Sequence, residues 1–354
     1  MRKKIFSVLK FIIFLGIGVF LIWWQISKMT EVQKIQFVES LKNARYIYLI
    51  PIILMAILSH WSRAVRWKLM LEPMGYHPST ANTFYATLTG YFGNNFVPRA
   101  GEIMRCTMLS KYEKVPFTKA LGTVITERLF DFISYLVVIM ITFLIQIQTV
   151  RNFITEKAEA IVPQESSLAP WLVALLILAI AIIFFFISKG LYKRYAQIGI
   201  IKKTTTTIAG LKEGVFTIMH LKKRKAFLLH TLFIWSMYLL QVYVGFNALQ
   251  ITSHLGIGAA FSVLSLSTLA MIISPGGIGA FPVAVQQVLL IYHVDNISFG
   301  WLIWGANTGI IIILGILSFT LLHFNNKNEK DRQHTGPHNR RSGNTKAGES
   351  LALK

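Results

Sequence analysis

"NNFVPRAGEIMR", Asn94 to Arg105, ends one apolar stretch and begins another, and it carries Arg99, Glu102 and Arg105, which a bilayer rejects. A proline removes a helix donor, so the apolar run from Ala81 to Val97 stops at Pro98, and it resumes from Gly101 to Ser110. A second break of the same kind, "SPGGIGAFP" at Ser274 to Pro282, interrupts the run from Gly258 to Tyr292; paired glycines are costly inside a helix. Unwound backbone at membrane depth has to be buried in protein or line a wet cavity. Both stretches therefore read as helical hairpins that enter the membrane and turn back, with ordinary thin crossings as the alternative.

The composition around them belongs to a membrane protein. Hydrophobic residues make up 54% of the 354-residue chain, and the mean hydropathy is +0.54, which takes it out of the soluble class. Only 14% of residues are charged, yet the net charge is +21, so cations gather in loops and tails and favour anionic lipid surfaces. Those basic residues interrupt apolar spans and form no groove on a soluble fold, so no nucleic-acid partner is expected. The lone cysteine, Cys106, excludes an intrachain disulfide.

Six long apolar runs are candidate crossings: Ile5 to Trp24, Tyr46 to Trp61, Ala120 to Ile147, Trp171 to Ile187, Ala226 to Leu249 and Phe299 to Phe324. The first is about 20 residues long, enough to cross a hydrocarbon core, and it ends on an interfacial tryptophan pair rather than a cleavage site. Arg63, Arg66 and Lys68 follow the second run as flanking charges. With the N-terminus inside, the loop from Ser188 to Lys225, which ends in "KKRK", and the basic tail from Asn325 both fall inside. Outer loops are poorer in cations, as the positive-inside rule requires, except for Lys28, Lys34, Lys42 and Arg45 in the first. The expected organisation is an all-α polytopic transmembrane bundle over 1–324 with two opposed re-entrant helical hairpins, then a disordered basic cytoplasmic tail over 325–354. The expected location is the bacterial cytoplasmic membrane.

A charge near the bilayer centre costs at least about 2.5 kcal/mol on insertion scales, so charges there face a cavity or each other. Glu102 and Arg105 share a helix face, and the Arg99 fork suits a phosphate; the competing reading is an internal salt bridge holding the hairpin. "ITERLFDF", Ile125 to Phe132, sets Glu127 one turn from Asp131 and lets Arg128 pair with Asp131, with Arg99 and Arg105 as the expected outside partners. A buried network that fixes helix packing is the alternative here. The glycine-rich break has no cation of its own, so anion binding there would rest on free backbone donors near Gly277 to Ala280. No catalytic constellation, metal-ligand spacing or cofactor motif is present, so no cofactor is expected.

"GNNFVPRAGEIMR", "ALGTVITERLFD" and "SPGGIGAFPVAV", in that order, resemble the lysylphosphatidylglycerol synthase transmembrane-region family of flippase-like membrane proteins, over roughly Arg2 to Phe324. By that resemblance Asn95, Pro98, Arg99, Gly101, Glu102 and Arg105 form the first signature, Glu127, Arg128 and Asp131 the second, and Pro275, Gly276, Gly277 and Gly279 the third. It implies movement of a polar-headed lipid between leaflets. The synthases carry a large soluble catalytic domain after the membrane part, whereas only a short basic tail follows Phe324 here, so aminoacyl transfer is not expected.

The resulting expectation is a flippase for a phospho- or aminoacyl-lipid and not an enzyme, with Asn95, Arg99, Glu102, Arg105, Glu127, Arg128 and Asp131 at the headgroup. Pro98, Gly101, Pro275, Gly276, Gly277 and Gly279 would break the hairpins. Membrane phospholipid and, through loop and tail, the anionic lipid surface are the expected partners; nothing in the sequence sets an oligomeric state. The rival readings are a noncatalytic membrane scaffold and a membrane enzyme acting on lipid headgroups.

Overall fold

The computed structural model describes residues 16, 20, 22–97, 99–159 and 221–334. The expected crossing Trp171 to Ile187, the basic loop as far as His220, the tail beyond His334, Pro98, and all but residues 16, 20 and 22–24 of the first run lie outside them. Among the described residues the structure is helical, with no strand. In chain order the helices are α1 (Glu31–Lys42), α2 (Leu49–Leu71), α3 (Thr80–Phe96), α4 (Ala100–Glu113), α5 (Phe117–Glu159), α6 (Arg224–Gly245), α7 (Ile257–Ile273), α8 (Ala280–Ile291) and α9 (Ser298–His334).

Among the described residues, four segments are long and apolar enough to cross a bilayer: Tyr46–Met74, Phe117–Ile147, Arg224–Ala248 and Ser298–Phe324. Their outer faces carry exposed apolar side chains such as Leu229 (65% exposed) and Ile316 (53%). Exposed leucine and isoleucine along a long helix are what a hydrocarbon solvent favours. Helices α3 and α7, with 17 residues each, rise about 25 Å at 1.5 Å per residue, short of a hydrocarbon core of about 30 Å.

The first expected outer loop contains α1, which begins on a Thr30–Gln33 capping box and buries none of its residues. It is tied to the start of α9 by hydrogen bonds from Gln33 to Asp295 and from Asn296 to Ser40, each 3.0 Å. Helix α2 departs from expectation. It does not end near Trp61 but runs through Leu71, because Ala64, Val65, Trp67, Leu69 and Met70 continue the apolar periodicity past the arginines. Arg63 and Arg66 are thus buried helix residues, 3% and 0% exposed, and not flanking loop charges. At the other end of the chain, α9 continues past Phe324 to His334.

Each predicted hairpin is a helix, a break and a returning helix packed on the first: α3 on α4, and α7 on α8. The first break spans Val97 to Arg99, where Arg99 takes a left-handed conformation (φ 63°) and precedes α4. Gly101, expected to contribute to the break, lies inside α4. Its work is close packing: a β-carbon there would overlap the Gly90 carbonyl oxygen, and its N–H donates to the Asn94 side chain at 2.8 Å. In the second break Gly276, Gly277 and Gly279 have φ of 58°, 72° and 71°, conformations that glycine adopts without a steric penalty. Pro275 opens the short 3-10 turn before them.

The apolar core has two main parts. Trp67, Ala86, Cys106, Leu109 and Val124 join α2, α3, α4 and α5. Val242, Phe246, Val263, Leu289 and Phe299 join α6 through α9. The two breaks meet between these parts, since a β-carbon on Gly276 would lie 3.1 Å from Asn95 Cα.

Candidate functional site: a polar cavity backed by an arginine-carboxylate network

Three helices, α2, α4 and α5, bring charge to the centre. On α2, Arg63 and Arg66 are three residues apart and share a face; on α5, Glu127 and Asp131 are four apart and do the same. Helix α4 adds Arg105 from its third position after Glu102. Arg63 Nη1 donates to Glu127 at 3.0 Å and to Asp131 at 2.5 Å. Arg66 Nη2 bridges the same two carboxylates at 3.0 and 2.6 Å. Arg105 Nη2 reaches the other oxygen of Glu127 at 2.6 Å.

Neutral groups add to the shell, while Arg66 Nε and Arg105 Nε and Nη1 keep no hydrogen-bond partner. Arg63 Nη2 donates to Tyr238 at 3.1 Å and Arg66 Nη1 to Thr231 at 2.9 Å. The Arg105 guanidinium lies 4.7 Å from the centre of the Trp67 ring, whose indole N–H is occupied by Thr123 at 2.9 Å. Glu127 is fully buried and Arg105 is 2% exposed. Buried charges of this kind are tolerated because each meets an opposite charge and further donors or acceptors.

In front of the network is a cavity of about 440 Å³, bordered by Arg63, Asn95, Arg99, Glu102 and Arg128 and also by Met271, Ile272, Gly276, Trp304 and Asn307. Ligand sites commonly occupy about 300–1,000 Å³. Arg128 pairs with Glu102 at 3.3 Å and stands 3.8 Å from Asp131. Arg99 is exposed at the break and has no ion pair or hydrogen bond among the described residues. Several wall side chains carry buried polar atoms without a partner, among them Arg63 Nε, Arg128 Nε, Asn95 Nδ2, Glu102 Oε2 and Gln241 Nε2. The lining also includes Ile272 and Ile273, 64% and 68% exposed, so charged and exposed apolar side chains share the wall. Helices α4 and α8 both begin beside it, with Phe281 of the first turn of α8 in the wall.

The residues singled out in the sequence thus divide in two. Asn95, Arg99, Glu102 and Arg128 border the cavity; Arg105, Glu127 and Asp131 do not, and sit in the ion-pair network behind it. Glu102 faces Arg128 rather than Arg105. Arg105 meets Glu127 as expected, but Arg99 meets neither carboxylate of α5. Gly276 is at the cavity, and its carbonyl accepts the Trp304 indole N–H at 2.8 Å. The sequence reading missed Arg63 and Arg66. Their signal was present as an arginine pair at a spacing of three, matching an acid pair at a spacing of four on another apolar helix.

Long apolar helices around a charged interior cavity define an integral, multi-pass membrane protein. Comparison with known proteins narrows the class. The model of the family described as "Lysylphosphatidylglycerol synthase TM region" matches residues 8–324, and the chain belongs to that family. Among curated proteins, it is similar to a UPF0104 membrane protein of Methanocaldococcus jannaschii, 33% identical over 99 residues, which are 27% of this chain and 30% of that one. The match thus spans less than a third of that relative. A UPF0104 membrane protein of Methanothermobacter thermautotrophicus is 22% identical over 281 residues, 72% of this chain and 77% of the relative. No solved structure matches.

Proposed function

We propose that the protein moves a polar-headed lipid between the two leaflets and does not transform it chemically. The observation that carries this reading is the mixed lining of the cavity. Its wall carries Arg99, Arg128 and Asn95 together with the exposed apolar Ile272 and Ile273. A headgroup can leave water for the charged side chains while its chains stay in hydrocarbon beside the apolar ones. Two short, broken helix pairs meeting at one place are the pattern of membrane carriers whose site lies near the bilayer midplane, and the family description itself concerns membrane lipids. In this reading the helix pairs are re-entrant and opposed. The excess of Lys and Arg in the 188–225 loop and the tail puts both termini on the cytoplasmic side of the cytoplasmic membrane.

The test is a leaflet-exposure assay. The full chain is reconstituted in liposomes with head-labelled phospholipids, and the label remaining inaccessible to an external quencher is followed over time. The parent should equilibrate at least one lipid class between leaflets, and Arg99→Ala should slow it by at least about tenfold, the loss of one charge-assisted hydrogen bond. Equal rates for the two correctly folded proteins would refute the assignment.

A further inference from the structure

The charges around the cavity do not balance. Arg63, Arg66, Arg99, Arg105 and Arg128 stand against only Glu102, Glu127 and Asp131 among the described residues, leaving two positive charges uncompensated. Glu127 and Asp131 are consumed by Arg63, Arg66 and Arg105, and Glu102 is engaged by Arg128. Arg99 has no counter-charge among the described residues. The nearest neutral ionisable groups, His60, Tyr91 and Tyr238, add no negative charge to the wall.

The hydrogen-bonding capacity left over is lopsided in the same sense. The unpaired donors Arg63 Nε, Arg128 Nε, Asn95 Nδ2 and Gln241 Nε2 outnumber the one unpaired carboxylate oxygen, on Glu102. Arg63 and Gln241 are 3% and 5% exposed, too buried for bulk water to serve them. The starts of α4 and α8 add partial positive charge at the same place. A low-dielectric site with surplus cations and surplus donors is complementary to an acceptor-rich dianion and repels a cationic group.

Resting on the lipid-transport reading above, we infer that the cavity selects a lipid whose headgroup is a terminal phosphate with two negative charges, and discriminates against zwitterionic and cationic headgroups. Arg99 is its principal ligand, and Glu102 holds Arg128 in place and receives no part of the lipid. The phosphate arrives on a lipid because the same cavity is lined by the exposed apolar Ile272 and Ile273.

The experiment measures equilibrium binding of fluorescent phosphatidic acid to the full chain in detergent micelles, with phosphatidylcholine and a lysine-headed phospholipid as comparison lipids and inorganic phosphate as a soluble competitor. Phosphatidic acid should bind at least about tenfold more tightly than either comparison lipid. Arg99→Gln, at an exposed and unpaired position, should erase most of that ratio, whereas Glu102→Gln should leave it equal or larger. Equal affinities, a preference for the lysine-headed lipid, or binding of the lysine-headed lipid that Glu102→Gln abolishes would overturn the inference, the last because it would make Glu102 a ligand for a cation. Displacement by inorganic phosphate at concentrations similar to those of the lipid would overturn the lipid source. Protein that moves phosphatidylcholine across liposomes without preferring phosphatidic acid would sink the charge assignment and leave transport standing; tight, selective binding with no lipid movement would do the reverse.

Discussion

Glu127 holds the network together: it accepts from Arg63, Arg66 and Arg105, which come from two other helices, and has no exposed surface. Breaking a buried ion pair by removing one partner leaves the other charge buried without compensation, at a cost of about 3–5 kcal/mol. Glu127→Ala strands Arg105 and leaves Asp131 alone to serve both Arg63 and Arg66, so unfolding in a graded detergent or denaturant series should show a loss of that order, while Glu102→Gln, whose partner Arg128 is half exposed, should lose less than about 1 kcal/mol. A Glu127→Ala protein as stable as the parent would mean that the network contributes little to the fold. At this scale the sequence was informative about the acids and uninformative about their partners. "ITERLFDF" advertises charge inside an apolar helix, but Arg63 and Arg66 sit just past a tryptophan, where flanking cations normally reside. Only the continued apolar pattern of α2 separates the two cases.

Among the elements, the breaks were legible because proline and glycine mark them through backbone chemistry that no tertiary contact can override. The roles inside each break were not. Gly101 was expected to unwind the chain and instead lets α3 and α4 approach, and the left-handed residue is Arg99, which no local pattern announces. A left-handed conformation costs a non-glycine residue about 1–2 kcal/mol, so a charged side chain kept there signals a use for that side chain. Arg99→Gly should therefore raise stability by about 1 kcal/mol while lowering lipid movement as much as Arg99→Ala does. Melting temperature and leaflet exposure measured on the same preparation check both halves, and a variant that is less stable than the parent would contradict the strain argument.

For the whole molecule, the all-helical membrane fold follows from composition and run length, and its four described spans match four of the six long apolar runs. How those spans pack was not legible, because lipid-facing and interior-facing leucines are the same residue type. The structure separates them: Leu229 is 65% exposed and Leu289 is fully buried. Leu289→Ala should cost about 2–5 kcal/mol through the cavity it leaves, and Leu229→Ala should change stability by less than about 0.5 kcal/mol. Equal losses at the two positions, read by thermal unfolding in one detergent, would place Leu229 against protein and not lipid.

The distance along the chain between the paired charges bears on how the protein is made. Arg63 and Arg66 precede Glu127 and Asp131 by 61–68 residues, so α2 leaves the ribosome with both arginines and no acid of its own to meet them. Each would cost about 2.5–3.5 kcal/mol at the centre of a lone helix entering lipid. During synthesis α2 is therefore a poor candidate for release into the bilayer by itself; it becomes a good one when α5 arrives. The ion pairs that back the finished cavity therefore favour release of α2 together with α5 over release of α2 alone.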